Sequence, residues 1–280
     1  MKITMLGTGA LGYPLAFCNC NNCKEARIRR GKSIRKRASI LINDDLIIDL
    51  GPDTQTAMTM YDNDMGKIKY LLQTHIYTDH YDPGLLCTRI PYMAMKGHPK
   101  LEIYAHPICL QIMSDRVNQF EKADLISIEG SEKMHVRSHC INAGDIVNIG
   151  KYKVKAIESA HDVKHGSLLY VVSEKGKNLL YATDTPPLTE NALSQLSNIK
   201  LDIVIMDHTF GNVDYSFSHL NEKLFMEQID KLKQVGCIFN DTQIFGTHIS
   251  HDGMGYHEMI KERALSNGYH IAYDGMNLEI

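Results

Sequence analysis

No stretch of the 280 residues approaches the roughly 20 consecutive apolar residues of a membrane span. The first apolar run, Met1 to Leu6, is too short for a signal peptide, and Gly7-Thr8-Gly9 breaks it. Charge of one sign is not in excess. The net charge of −3 gives no general attraction for nucleic acid. No proline-rich or serine-rich linker divides the chain and no short repeat is visible, so residues 1–280 are expected to form a single domain. The glycine-rich turn Gly7 to Gly12 has no lysine–serine pair and no helix pattern directly after it, which excludes a nucleotide-phosphate loop. What is left is a cytoplasmic globular protein with no membrane partner. Its hydrophobic fraction of 44% is enough for a sizeable core.

Seven cysteines are present. Cys18, Cys20 and Cys23 sit together, whereas Cys87, Cys109, Cys140 and Cys237 lie singly in or near apolar segments. An odd count, one tight cluster and no secretion signal point to metal rather than disulfides. The scattered four read as core thiols. From Lys24 to Arg37 the chain is rich in basic residues. This stretch is either a solvated face or an anion-attracting rim for a phosphate substrate.

The element pattern is mixed. Lys2–Leu6 alternates as a strand. Ser39–Ile42 and Leu46–Leu50 flank Asn43-Asp44-Asp45 as a hairpin, and a short helix is expected over Thr54–Tyr61. Strands are expected at Lys69–Gln73, Leu101–Ala105, Tyr152–Glu158, Ser167–Val172, Asn178–Ala182 and Leu201–Met206, with a last one at Tyr269–Tyr273 closing the chain. Helices are expected at about Pro107–Phe120, Asn221–Val235 and His257–Ser266. Strand pairs followed by helices predict a layered α/β fold with helices outside packed sheets.

Metal-capable side chains collect where these strands stop. His75, Asp79 and His80 follow Lys69–Gln73, and His161 follows Tyr152–Glu158. Asp184 follows the next hairpin, Asp207 and His208 follow Leu201–Met206, and His248 and His251 follow Gln243–Gly246. Strand ends and their loops are where binding groups gather in layered α/β folds. Imidazole with carboxylate suits zinc and similar ions, so a metal site is the leading expectation.

The order His-x-x-x-Asp-His, His, Asp, His resembles the metallo-β-lactamase superfamily over essentially the whole chain. Three further segments resemble its phosphoribosyl cyclic phosphodiesterase branch: Cys18-x-Cys20-x-x-Cys23, Arg35 to Ser39, and Ile48 to Asp53. The closing Thr247 to His251 matches that branch too. The resemblance implies a four-layer αββα sandwich. It implies His75 and His161 on a first metal, Asp79, His80 and His248 on a second, and Asp184 bridging both. Asp49 would orient the metal loop from outside the ligand set. Cys18, Cys20, Cys23 and His251 would form a separate structural zinc site, a closed tetrahedral set that braces rather than reacts. Two zinc or manganese ions about 3.5–4 Å apart would lower the pKa of a water for attack on phosphorus. Asp79 is then catalytic as well as a ligand. His219 is the candidate proton donor to the leaving group, and His208 competes with it.

One position departs from the family pattern, which usually reads His-x-His-x-Asp-His: here the second histidine is Tyr77. The alternatives are weakened occupancy of the first site, a one-metal enzyme using the second site, or ligation by a Tyr77 phenolate whose pKa the metal lowers. The expected function is a metal-dependent phosphodiesterase acting on a small cyclic or nucleotide-like phosphodiester, as a homodimer. Two alternatives stand beside it. One is a non-catalytic metal-binding scaffold resembling the pyrroloquinoline quinone biosynthesis member. The other is a tRNase Z-like nuclease, which the absence of a glycine- and lysine-rich arm disfavours.

Overall fold

The computed structural model describes residues 1–90, 97–253 and 255–280. Six strands come first: β1 (Lys2–Gly7), β2 (Ser39–Ile42), β3 (Leu46–Ile48), β4 (Tyr70–Leu72), β5 (Leu101–Ala105) and β6 (Val136–Cys140). Eight more follow: β7 (Ile146–Ile149), β8 (Tyr152–Glu158), β9 (Leu168–Glu174), β10 (Lys177–Ala182), β11 (Ile203–Asp207), β12 (Gln243–Thr247), β13 (His270–Ile271) and β14 (Asn277–Glu279). The helices are α1 (Asn21–Arg29), α2 (Thr54–Met60), α3 (Pro83–Cys87), α4 (Pro107–Glu121), α5 (Ile128–Met134), α6 (Glu190–Leu196), α7 (Glu222–Gln234) and α8 (His257–Ser266).

Among the described residues the strands form two sheets, β14-β1-β2-β3-β4-β5-β6 and β13-β12-β11-β10-β9-β8-β7. Each has an antiparallel half and a parallel half. In the first sheet β3 to β6 run parallel; in the second, β10 to β13 do.

Side chains alternate across these strands with a period of two. Leu41, Ile47 and Leu71 point to α2, α3 and α4, while Ile40, Ile42, Ile48 and Leu72 point to the other sheet. Val204 and Met206 face α6, α7 and α8, while Ile203 and Ile205 join the core between the sheets. The order is therefore helix, sheet, sheet, helix: a four-layer αββα sandwich. Burial on both faces is why β3, β4 and β11 read as continuous apolar runs rather than alternating ones.

Parallel register sets the site. Ala182, Met206 and Gly246 lie side by side across β10, β11 and β12. The residues just past them (Asp184, Asp207 and His248) therefore leave the sheet together. In the other sheet Ile48 pairs with Leu72, which places Asp49 beside Gln73 and the loop that follows.

Several expectations need correction. The chain does not close at Tyr269–Tyr273. Only His270–Ile271 is strand there, and after a turn at Gly275 (φ +83°) the last segment, β14, crosses to the first sheet and pairs with β1. Helices α1, α3, α5 and α6 and strands β6 and β7 were not anticipated. These are short, and α1 buries only Cys23 and Ala26, so no apolar stripe marks it. The basic stretch is neither of the two things expected throughout its length. Arg35 is buried, donating to Thr8 Oγ1 (2.8 Å) and the Ala272 carbonyl (2.5 Å), with Nη2 3.0 Å from His257 Nδ1.

Candidate metal centre

Thr74 to His80 leaves β4 and folds over Leu50 and Gly51. The backbone passes so close that a Cβ on Gly51 would stand 2.5 Å from the Asp79 carbonyl oxygen. Asp49, fully buried, holds this loop. Its Oδ1 accepts from the Thr74 backbone N–H (2.8 Å), the Thr74 hydroxyl (2.8 Å) and the Gln73 amide (3.0 Å), and its Oδ2 lies 2.7 Å from His80 Nδ1.

The other histidines are fixed in the same way. Thr74 Oγ1 meets His75 Nδ1 (2.9 Å), the Ser218 carbonyl meets His161 Nδ1 (3.2 Å), and Thr209 Oγ1 meets His248 Nδ1 (2.8 Å). In each case Nδ1 is engaged from outside and Nε2 is turned inward, which is how ligating imidazoles are oriented in metal proteins.

The inward atoms converge on Asp184. Its Oδ2 lies 3.0 Å from His75 Nε2, 3.2 Å from His80 Nε2 and 3.7 Å from His248 Nε2, and its Oδ1 lies 3.1 Å from His161 Nε2. Asp79 Oδ2 stands 3.5 Å from His80 Nε2 and 3.9 Å from His248 Nε2. These approaches lack hydrogen-bond directionality. The Nε2 atoms of His75, His80, His161 and His248, and Asp184 Oδ1, are buried with no hydrogen-bond partner. Orphaned buried acceptors are rare and costly unless an ion or water meets them. The donor set is thus one that fits cations. Asp79, His80, Asp184 and His248 form one group, and His75, His161 and Asp184 another.

Electrostatics agree. Burial alone would raise Asp184, yet the surrounding imidazoles, His248 foremost, hold it well below the ordinary carboxylate range. Burial opposes a charge on His80, but Asp49 and Asp79 raise it well above the usual imidazole value. A pocket that draws a proton this strongly also draws a metal cation, which would compete for the same nitrogen.

Three residues here adopt left-handed backbone conformations: Asp49 (φ +68°), Asp184 (φ +54°) and His248 (φ +61°). Such conformations are uncommon outside glycine and cluster at functional sites.

The positions not read as ligands are informative. Tyr77 is 41% exposed and packs edge-on against His75 (5.0 Å) and His161 (5.3 Å). Burial and then the Asp162, Asp184 and Asp79 carboxylates push its phenol up, against ionisation by the protein alone. His219 Nδ1 lies 3.0 Å from Asp184 Oδ1 and 3.1 Å from Asp207 Oδ2. Burial opposes its proton, but these two carboxylates lift it to about 10. His219 precedes α7 by three residues instead of opening it. His208 must be corrected as a competing donor. It points away from the cluster, with Nε2 2.8 Å from Tyr269 Oη and its ring against Phe225.

Asp207 was read as one of the strand-end residues but given no role, and Thr209 was missed. Asp207 is fully buried, and its carboxylate accepts from the Thr209 hydroxyl (2.9 Å) and the Leu220 N–H (2.9 Å). Its place at the end of β11 was the available signal.

The cysteines gather as a second centre. The Cys18 and Cys20 sulfurs stand 3.4 and 3.5 Å from His251 Nδ1, and Cys23 joins them. Cys20 also caps α1, accepting from the Cys23 N–H. Burial opposes ionisation of the Cys20 thiol, but hydrogen bonds from His251 and that N–H lower it to about 6. Three sulfurs and a nitrogen in one cluster suit a tetrahedral zinc. The segment from His248 to His251 links the two centres, and it is pinned to the glycine turn by Ile249 N–H to the Thr8 carbonyl (2.9 Å) and Ala10 N–H to the Ile249 carbonyl (3.1 Å).

A cavity of about 390 Å³ touches both groups, its lining shared by Leu11, Leu15 and Phe210 with Tyr77, Asp184 and His219.

Solved structures with the same fold span nearly the full length of both partners. A diphosphatase from the PhnP family is 21% identical, covering 100% of this chain and 96% of its own, with a TM-score of 0.72. Zinc-bound PqqB from Methylobacterium extorquens is 18% identical, with 100% of both chains covered and a TM-score of 0.69. The short form of human tRNase Z is 18% identical, with coverages of 100% and 99% and a TM-score of 0.65. No curated protein matches the chain in sequence. Residues 45–249 match the family described as the β-lactamase superfamily domain. With the sandwich, the converging histidines and aspartates and this match together, the chain belongs to the metallo-β-lactamase superfamily.

Proposed function

We propose that residues 1–280 form one metal-dependent phosphodiesterase that hydrolyses a small phosphodiester. The observation that carries this reading is the set of four buried, unpartnered Nε2 atoms converging on Asp184 at the floor of an open cavity. His75, His161 and Asp184 would hold one ion, and Asp79, His80, His248 and Asp184 the other. Zinc or manganese suits these ligands. Ions bound there would supply Lewis-acid polarisation of a phosphoryl oxygen and an acidified water.

The chain's own residues do the rest. Asp49, Thr74, Thr209 and the Ser218 carbonyl hold the imidazoles in the tautomer that presents Nε2. His219 lines the cavity and carries the proton that the leaving alkoxide needs. Asp207 orients it and favours its protonated form whether or not Asp184 is engaged by an ion. Cys18, Cys20, Cys23 and His251 take a structural zinc that braces the cavity wall.

Tyr77 favours a second reading, an altered metal-binding scaffold without hydrolysis, because it removes one nitrogen donor from the His75–His161 group. A tRNase Z-like nuclease finds less support, since the described cavity lining holds no lysine or arginine. Free thiols at all seven cysteines suit the cytoplasm, and no helix among the described residues is long and apolar enough to cross a membrane. A homodimer is the proposed assembly.

Metal analysis of the purified protein, paired with turnover of bis-p-nitrophenyl phosphate, tests the reading. Two or three ions with turnover support it. One tightly held zinc with no turnover favours the scaffold.

A further inference from the structure

The cavity walls differ in kind from its floor. The floor is imidazole and carboxylate. The apolar part of the lining is Leu11 and Leu15, from the segment after β1, together with Phe210. Phe210 anchors an aromatic group, with Tyr215 at 5.3 Å, Phe217 at 5.9 Å and the His219 ring at 5.6 Å. Part of this apolar surface is left in water: Leu11, in the lining, is 56% exposed, and Phe217, which packs on Phe210 behind it, is 77% exposed. Ligand sites pair an apolar surround with a few polar groups, and apolar lips beside such a site are surface for a ligand to cover.

Charge gives the complementary statement. Among the described residues lining the cavity there is no lysine and no arginine, and Asp252 adds a carboxylate beyond the proposed ligands. Arg27 is spent on the carbonyls of Leu15 and Cys18. Arg35 is buried in its own network. Among the described residues lining the cavity, the one cation besides the proposed metal ions is the protonated His219, which Asp184 and Asp207 already engage. A second phosphate on the substrate would be desolvated beside apolar side chains and Asp252 with no free counter-charge, which is strongly unfavourable.

We infer that the substrate is a phosphodiester whose only charge lies on the reacting phosphorus and whose attached group carries a planar apolar face, as an aryl or nucleobase group does. This rests on the phosphodiesterase reading and narrows it: an ester bearing a second phosphate, such as a phosphorylated sugar, is disfavoured.

The test is a matched pair with a common leaving group. The metal-loaded full chain is assayed with thymidine 5′-(p-nitrophenyl phosphate) and with the same ester carrying a 3′-phosphate, beside bis-p-nitrophenyl phosphate. The expected result is a kcat/KM at least tenfold lower for the doubly phosphorylated ester, mostly through KM. Leu11→Arg, at the exposed lip, should narrow that gap at least threefold. Turnover of bis-p-nitrophenyl phosphate with equal or better turnover of the doubly phosphorylated ester overturns the inference and leaves the phosphodiesterase reading standing. No turnover of any of the three by metal-loaded protein overturns both.

Discussion

Asp49 Oδ2 sits 2.7 Å from His80 Nδ1, while the other oxygen of the same carboxylate takes up the Thr74 N–H and hydroxyl. One buried side chain thus fixes a histidine's ring and the loop that carries His75, Asp79 and His80. It is not among the groups that could hold an ion, so its effect on metal must travel through His80 and the loop that Thr74 anchors.

Asp49→Asn should weaken metal binding at the active centre by 10- to 100-fold, the usual effect of losing such a partner. Competition against a chelating dye reads this directly. Unchanged affinity would mean that His80 is held by packing alone.

Tyr77 should divide the two ion positions. The group with Asp79, His80, Asp184 and His248 offers four donors and the other three, so stepwise binding with the four-donor position filling first is expected. Tyr77→His should tighten the weaker step. Tyr77→Phe should leave it unchanged, since the phenol is held protonated. A Phe variant that loses the second ion would instead identify a phenolate ligand.

His219→Ala should lower kcat by about 10²–10⁴ on a diester with an alkoxide leaving group. It should matter far less for p-nitrophenolate, which leaves without a proton. His208→Ala should keep nearly full rate on both, because its ring is committed to Tyr269 and Phe225. Equal losses on both esters for His219→Ala would point to a ligand or folding role.

His257 gives the protein an acid-side weakness. Its Nδ1 accepts from the Arg35 guanidinium, so a proton there would face a fixed cation. Burial, then the charges of Arg35, Lys32 and Lys261, lower it to about 3. In the unfolded chain an imidazole protonates near 6.5. Between those values the unfolded state binds the extra proton, so stability falls as pH falls, by up to about 1.4 kcal/mol per pH unit. His257→Asn, whose Oδ1 can replace the acceptor, should show a shallower drop in melting temperature below pH 6.5. Parallel profiles would remove His257 as a cause.

Cys20→Ser should release one zinc and soften the wall around Leu11 and Leu15. A loss of about 3 kcal/mol would lower the melting temperature by roughly 6–12 °C. Zinc retained at full stoichiometry would contradict the brace.

Much of this was legible in the chain because chemistry and punctuation coincide. His75, His161, Asp184 and His248 each follow an apolar run, and in-register parallel strands turn that linear habit into one place. The cysteine triplet announced itself by spacing. Other features were hidden. Asp207 looked no different from His208 beside it, because β11 is buried on both faces and no alternation tells which side chain turns to the cluster. Arg35 stood in a basic run that composition assigns to the surface, and only the fold shows its partners Thr8, Ala272 and His257. The return of β14 to the first sheet has no local signal, since pairing with β1 is a contact across the whole chain.

The link from His248 to His251 joins a residue of one candidate metal group to a residue of the other, three residues apart and stitched to Thr8 and Ala10. Two assembly events therefore share one short length of backbone. If the cysteine cluster takes the proposed zinc, a chain short of it would lose the brace and, through this shared backbone, the posture of His248. Gentle chelation should then silence the protein through its architecture before it empties the catalytic floor.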